Sequence, residues 1–191
     1  MSYKNPAIPT IVNPVGIDTV IQNIQVNLAS GLTWLEKSFG RAWLHQEKQP
    51  DGKVVKLPKC YSGTGEYINV LPNDNLKAQS FIAVRDKEKN DGISPSRLGA
   101  SKTRDLSIIF WGNLKKINGA KTYIFTEELK REVEKIIIGL EYILSINGYW
   151  DERAEIIFAD YTLMDANTQY LMHPYFAMRF DITVSYFDSI C

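Results

Sequence analysis

Apolar and polar residues alternate along positions 175–187. Phe176, Met178, Phe180, Ile182, Val184 and Tyr186 fall on one side, and Ala177, Arg179, Asp181, Thr183 and Ser185 on the other. Successive side chains of a strand point to opposite faces, so this stretch predicts a strand with one face on a core and the other toward water or a partner. At ~3.3 Å per residue it would run about 40 Å, and the rest of the chain has to be arranged around it.

From Ile17 the period changes to that of a helix. Ile17, Val20, Ile21, Ile24, Leu28, Leu32, Leu35 and Phe39 recur at steps of three and four and define one apolar stripe. The pattern predicts a long helix ended by Gly40, with Gly31 as the one place where it could break. Residues 41–48 and 53–57 read as a hairpin around Gln49-Pro50-Asp51-Gly52. Residues 66–71 and 79–85 add two short strands. Residues 86–104 are polar, with Arg97, Lys102 and Arg104 in a basic second half, and predict a long loop, either mobile and solvated or ordered by a subunit or DNA contact. Residues 106–114 are apolar on both faces, as in a central strand. Thr126 then reads as the cap of a second helix with the stripe Leu129, Val133, Ile136, Ile137, Leu140, Ile143 and Leu144, stopped by Asn147-Gly148. A strand over 154–160 and a turn at Asn167-Thr168-Gln169 precede the final strand.

This order predicts an α+β fold: a mostly antiparallel β-sheet with two helices packed on one face. Residues 17–191 form its single domain, with insertion-like loops within 50–104. Residues 1–16 carry Pro6, Pro9 and Pro14 among Ile8, Ile11 and Val12, a spacing that blocks helix and central strand alike. They predict an extended arm, either solvated or laid on a neighbouring subunit.

Charge then narrows the function. Lys+Arg 22 against Asp+Glu 22 gives no global case for nucleic acid and leaves little self-repulsion in an assembling subunit. Cys60 and Cys191 make neither a disulfide framework nor a zinc set, so free thiols and synthesis in the cytoplasm are expected. The N-terminal residues lack the apolar core of a signal peptide, and no apolar run reaches membrane-spanning length. Gly63-Thr64-Gly65 lacks the Lys-Ser/Thr of a phosphate loop and reads as a turn. His45 and His173 stand apart, and no Gly-x-Ser-x-Gly occurs. Arg179 and Asp181, two apart on one strand face, read as a surface or interface ion pair. No catalytic, cofactor or metal site is expected.

Three segments carry a resemblance. They are Trp34-Leu35-Glu36-Lys37-Ser38-Phe39-Gly40-Arg41-Ala42-Trp43 after the first helix, residues 108–117 (Ile108-Ile109-Phe110-Trp111-Gly112-Asn113-Leu114-Lys115-Lys116-Ile117) before an acidic-capped helix, and residues 171–184. Together, over residues 17–187, they resemble the tail-terminator or head–tail joining proteins of tailed bacteriophages, particularly those infecting Bacteroidetes. The resemblance implies a virion structural protein rather than an enzyme: a ring subunit, six-fold as a rule and twelve-fold in some, that caps the tail tube, joins it to the portal complex and lets DNA pass. Its partners would be further copies of itself, the portal or adaptor and tail tube proteins, and transient, nonspecific DNA. The insertion at 50–104 is larger than the simple fold requires, so another neck ring, a tail completion subunit, or a non-viral binding domain stay open. For a subunit interface the candidate residues are Ile8, Ile11, Val12, Arg97, Lys102, Arg104, Arg179 and Asp181.

Overall fold

A computed structural model describes residues 7–8 (backbone), 10–63, 65–94, 98–163 and 172–189. In chain order the elements are β1 (Ala7–Ile8), α1 (Ile17–Gly31), β2 (Lys37–Lys48), β3 (Val54–Tyr61), β4 (Tyr67–Asn69), β5 (Ala78–Val84), β6 (Lys89–Ser94), β7 (Gly99–Asn113), α2 (Leu114–Ile117), α3 (Thr126–Ile138), β8 (Ile143–Asp151), α4 (Ala154–Ile157) and β9 (Tyr175–Ser189). Among the described residues the strands form one sheet in the order β4-β3-β2-β5-β7-β9-β8, with β1 beside β2 and β6 beside β7. The β1–β2 and β2–β5 pairs are parallel and the others antiparallel. The fold is α+β, as the order of elements predicts.

The final strand is where the alternation puts it. Phe176, Met178, Phe180, Ile182, Val184 and Tyr186 are all buried. They join Ile108 and Phe110 of β7, Ala78 and Ile82 of β5, the apolar stripe of α1, and Leu129, Val133 and Ile137 of α3 in one core. β7 is central, paired to β5 on one side and to β9 along its whole length on the other. Its alternate residues Ile109 and Trp111 enter a second, smaller core on the opposite face. Phe39, Val55, Leu57, Cys60, Val70, Phe81, Ile157, Phe158 and Ala177 complete it. The β2–β3 hairpin and the single turn α4 are its cover. Cys60 is a free thiol, and burial pushes its pKa up to about 12. Cys191 lies outside the described residues.

Buried polar side chains at the joins are satisfied. Gln25 of α1 donates to the Ser38 carbonyl at 2.9 Å and Ser38 Oγ donates back to the Gln25 carbonyl at 3.0 Å. Gln79 Nε2 donates to the carbonyls of Val70 and Leu71 at 2.7 and 3.0 Å, fastening the end of β4 to β5. Pairing buried polar groups avoids a desolvation cost of about 1–3 kcal/mol each.

Five expectations are corrected. The first helix ends at Gly31, not Gly40, and residues 37–39 already belong to β2. A Cβ on Gly31 would lie 2.5 Å from Ile136 Cδ1, so the glycine lets the end of α1 approach α3. Residues 89–94 and 99–104 are strand where a loop was expected, because β6 and the start of β7 pair antiparallel, Lys89 facing Thr103. The second helix stops at Ile138 with Gly139 as its C-cap, and Ile143, Leu144, Asn147 and Gly148 lie in β8. Residues 154–157 are helical where a strand was expected. Thr126 is the first residue of α3, which no side chain caps. The turn expected at residues 167–169 lies outside the described residues.

Candidate functional site

The polar face of β9 does not simply meet water. Beyond the second core, Arg179 and Asp181 line a cleft of 530 Å³ with Arg85, Asp105, Asp160, Tyr161 and Asn147. The strand register assembles it: Ser107 lies opposite Asp181, and Asp105 opposite Thr183. Asp181 Oδ1 accepts from Arg179 Nε at 2.7 Å and from Ser107 Oγ at 2.5 Å, and Oδ2 accepts from Trp150 Nε1 at 3.1 Å. Ser107 in turn accepts from Arg85 Nε at 2.6 Å. Arg179 also donates to the Ile156 carbonyl at 2.9 Å, and Arg85 pairs with Asp160. Thr183 Oγ1 donates to Asp105 at 2.5 Å and accepts from Asn147 at 2.7 Å.

These bonds set the charge states. Burial pushes the Asp181 carboxyl up, but the hydrogen bonds from Arg179, Ser107 and Trp150 outweigh it and hold the group below the usual aspartate range. Burial lowers the Arg85 pKa, and the nearby Arg179 guanidinium lowers it further. Burial pushes the Tyr161 hydroxyl up to about 12. An ionised Asp181 with both oxygens engaged is a structural anion, poorly suited to general acid work, and neither His45 nor His173 lines the cleft. Among the described residues no His, Cys, Asp and Glu group is placed to hold a metal.

The remaining candidates are dispersed. Lys102 sits at the base of the β6–β7 hairpin, 2.8 Å from Glu88 and 2.7 Å from Asp188. Arg104 lies 3.8 Å from Glu88, which also accepts from Tyr186. Hydrogen bonds from Lys102 and Tyr186 hold Glu88 below the usual carboxylate range. This cluster ties the hairpin to β9. Arg97 lies outside the described residues, as does the side chain of Ile8.

Ile11 lines a groove of 270 Å³ between the N-terminal segment, α1 and the β2–β4 strands, with Asp18, Gln22, Arg41, Trp43, Tyr61 and Tyr67. Arg41 pairs with Asp18 at 3.1 Å and lies 3.7 Å over the Trp43 ring, while Tyr61 and Tyr67 meet edge to face at 5.5 Å. Val12 is almost wholly exposed. The arm pairs with its own chain, β1 lying parallel to Ser38 and Phe39.

Two further apolar regions were not singled out from the sequence. At one end of the sheet Trp43, Leu44, Val54, Tyr61, Tyr67 and Ile68 are exposed across β2, β3 and β4. At the other, Leu144 and Trp150 are exposed on β8, with Ile138 at the end of α3. Among the described residues β8 pairs only with β9, so its outer edge is open. The only sequence signal for them was large side chains on the outward step of short strands. Among the described residues no helix is long and apolar enough to cross a membrane. No protein-family model matches the chain, and no curated protein matches it.

Proposed function

We propose that this chain is a structural ring subunit of a tailed bacteriophage, a tail terminator or head–tail connector that caps the tail tube and joins it to the portal complex. The observation that carries the reading is the pair of exposed apolar regions at opposite ends of one sheet, around β4 and around β8. They differ in composition, so one region meeting the other on the next copy gives a head-to-tail contact. Such contacts close into rings when the rotation between copies permits. The open edge of β8 can extend that contact by strand pairing. The resemblance of the segments around residues 34–43, 108–117 and 171–184 supports the virion assignment and a six-fold ring. With zero formal net charge, DNA passing through would be held weakly and without sequence preference.

Light scattering with negative-stain imaging tests it. Closed particles with a central hole are expected, and Tyr67→Glu or Leu144→Glu alone should reduce them to monomers. Mixing the two variants should give dimers and nothing larger, because each retains one intact region. A chain that stays monomeric at all concentrations, or variants that mix into full rings, would overturn the reading.

A further inference from the structure

We infer that the N-terminal segment is exchanged between copies, residues 7–11 of one subunit lying in the β2–α1 groove of its neighbour. The inference rests on the reading that the chain assembles with itself. Within one chain the described residues of the segment are held by two residues of parallel strand against Ser38 and Phe39 and by the Ile11 N–H donated to Gln22 Oε1 at 2.5 Å. The same contacts are open to the arm of a second copy, because apart from Ile11 the groove is lined by residues of α1 and of the segment from β2 to β4.

The tether decides between the two. Thr19 Oγ1 donates to the Pro14 carbonyl at 2.8 Å and Asp18 N–H to the Val15 carbonyl at 3.2 Å, so residues 14 and 15 are fixed to the start of α1. Among the described residues nothing comparable holds Val12, which is 86% exposed. The turn that folds the arm back falls at Asn13, with φ 56°. That is a left-handed conformation in a residue that immediately precedes a proline, where the ring drives the chain toward extended geometry. Folding back therefore stores strain at one residue, and a strained hinge favours exchange. With Asn13 extended, the six residues 7–12 reach about 20 Å from α1, far enough to cross to an adjoining subunit. The groove suits an extended, proline-flanked apolar segment. Its walls are the half-exposed rings of Trp43, Tyr61 and Tyr67, and the Gln22 amide takes a backbone N–H.

The test is a cross-link in the full chain. Cys191→Ser removes the terminal thiol, and Ile11→Cys with Gln22→Cys places a thiol on the arm and one in the groove. The assembled protein is joined with a short bis-maleimide and run on a denaturing gel. Exchange predicts a ladder of linked chains. A single-chain band from particles that light scattering shows to be assembled would overturn exchange and leave the ring reading intact. Failure of the unsubstituted chain to assemble at all would overturn both. Adding Asn13→Gly, which removes the penalty of the left-handed turn, should move the products toward the single-chain band by about fivefold. An unchanged ladder would show that strain at Asn13 does not drive the exchange and would sink it in this form.

Discussion

The two faces of β7 and β9 are built from alternate residues of the same strands and solve different problems. On the face under α1 and α3, Ile108, Phe110, Phe180 and Ile182 are fully buried, and Phe110 meets Phe180 and Trp34 at 6.1 and 6.0 Å. On the other face the apolar run lasts only from Trp111 and Ala177 to Ile109, after which Arg179, Asp181, Ser107, Asp105 and Thr183 take over. Apolar packing is non-directional, so the helix-covered face determines which side of each strand turns inward and keeps its apolar pattern after a slip by two residues, at the cost of repacking a dense core. The polar face adds a sharper constraint. Ser107 bonds Asp181 and Asp105 bonds Thr183 in the register where each pair lies directly opposite, and a two-residue slip breaks both. Stability comes mainly from one face and register from the other.

The largest effect expected from breaking this division is on the helix face. Phe110→Ala removes a fully buried ring at the centre of the main core and should cost about 3–5 kcal/mol. Urea unfolding should show the midpoint falling at an unchanged slope. A loss below about 1 kcal/mol would mean that α1 and α3 are not the principal cover.

The polar face should respond differently. Asp181→Leu alone leaves Arg179 without its carboxylate in a half-buried site and should cost about 1–3 kcal/mol. Adding Arg179→Met should recover most of that loss, since replacing both members of such a pair with apolar groups is often neutral. Additive losses in the cycle would mean that the two residues act separately. The native Asp181 also predicts an acid limb. Its folded pKa is lowered, so its contribution is complete above the ordinary aspartate value of about 3.9 and is lost as pH falls through the folded value. Asp181→Asn should flatten the stability profile between about pH 5 and pH 2, read as the unfolding midpoint.

How far this was legible in the sequence depends on how much each element touches a core. β9, β7 and α1 were readable because one or both faces are buried and the period shows. The β6–β7 pairing was not, because β6 has both faces largely in water, and Ile93, its lone large apolar residue, is 81% exposed. Alternation then has nothing to report. Leu32, Leu35 and Phe39 kept a helical spacing by coincidence: the first two are buried in a turn and the third in β2. Ile143 and Leu144 extended the α3 stripe in the same way. The Arg179–Asp181 pair was visible from its spacing, whereas Ser107, Asp105 and Trp150 sit on other strands and Arg85 just past the end of β5. Only the register shows that they meet.

The smallest expected effect concerns the cover of the polar face rather than its charges. The β2–β3 hairpin lies over the second core and turns at residues 49–53, where Gln49 N–H donates to the Lys53 carbonyl at 2.8 Å and Gly52 takes φ 85°. An added Cβ at Gly52 would meet nothing within 4 Å, so Gly52→Ala introduces no clash, only the left-handed penalty of about 1 kcal/mol. Gly92 also has open space around it and no left-handed φ, so Gly92→Ala should leave stability nearly unchanged. If the hairpin is a passive lid, Gly52→Ala lowers the unfolding midpoint by that small amount, and Cys60, on β3 and buried in the second core, stays unreactive toward thiol reagents in a Cys191→Ser background. If the hairpin opens as a unit, Cys60 labelling should rise while global stability barely changes. The second result would make the second core a separately opening layer and confine global stability to the helix face.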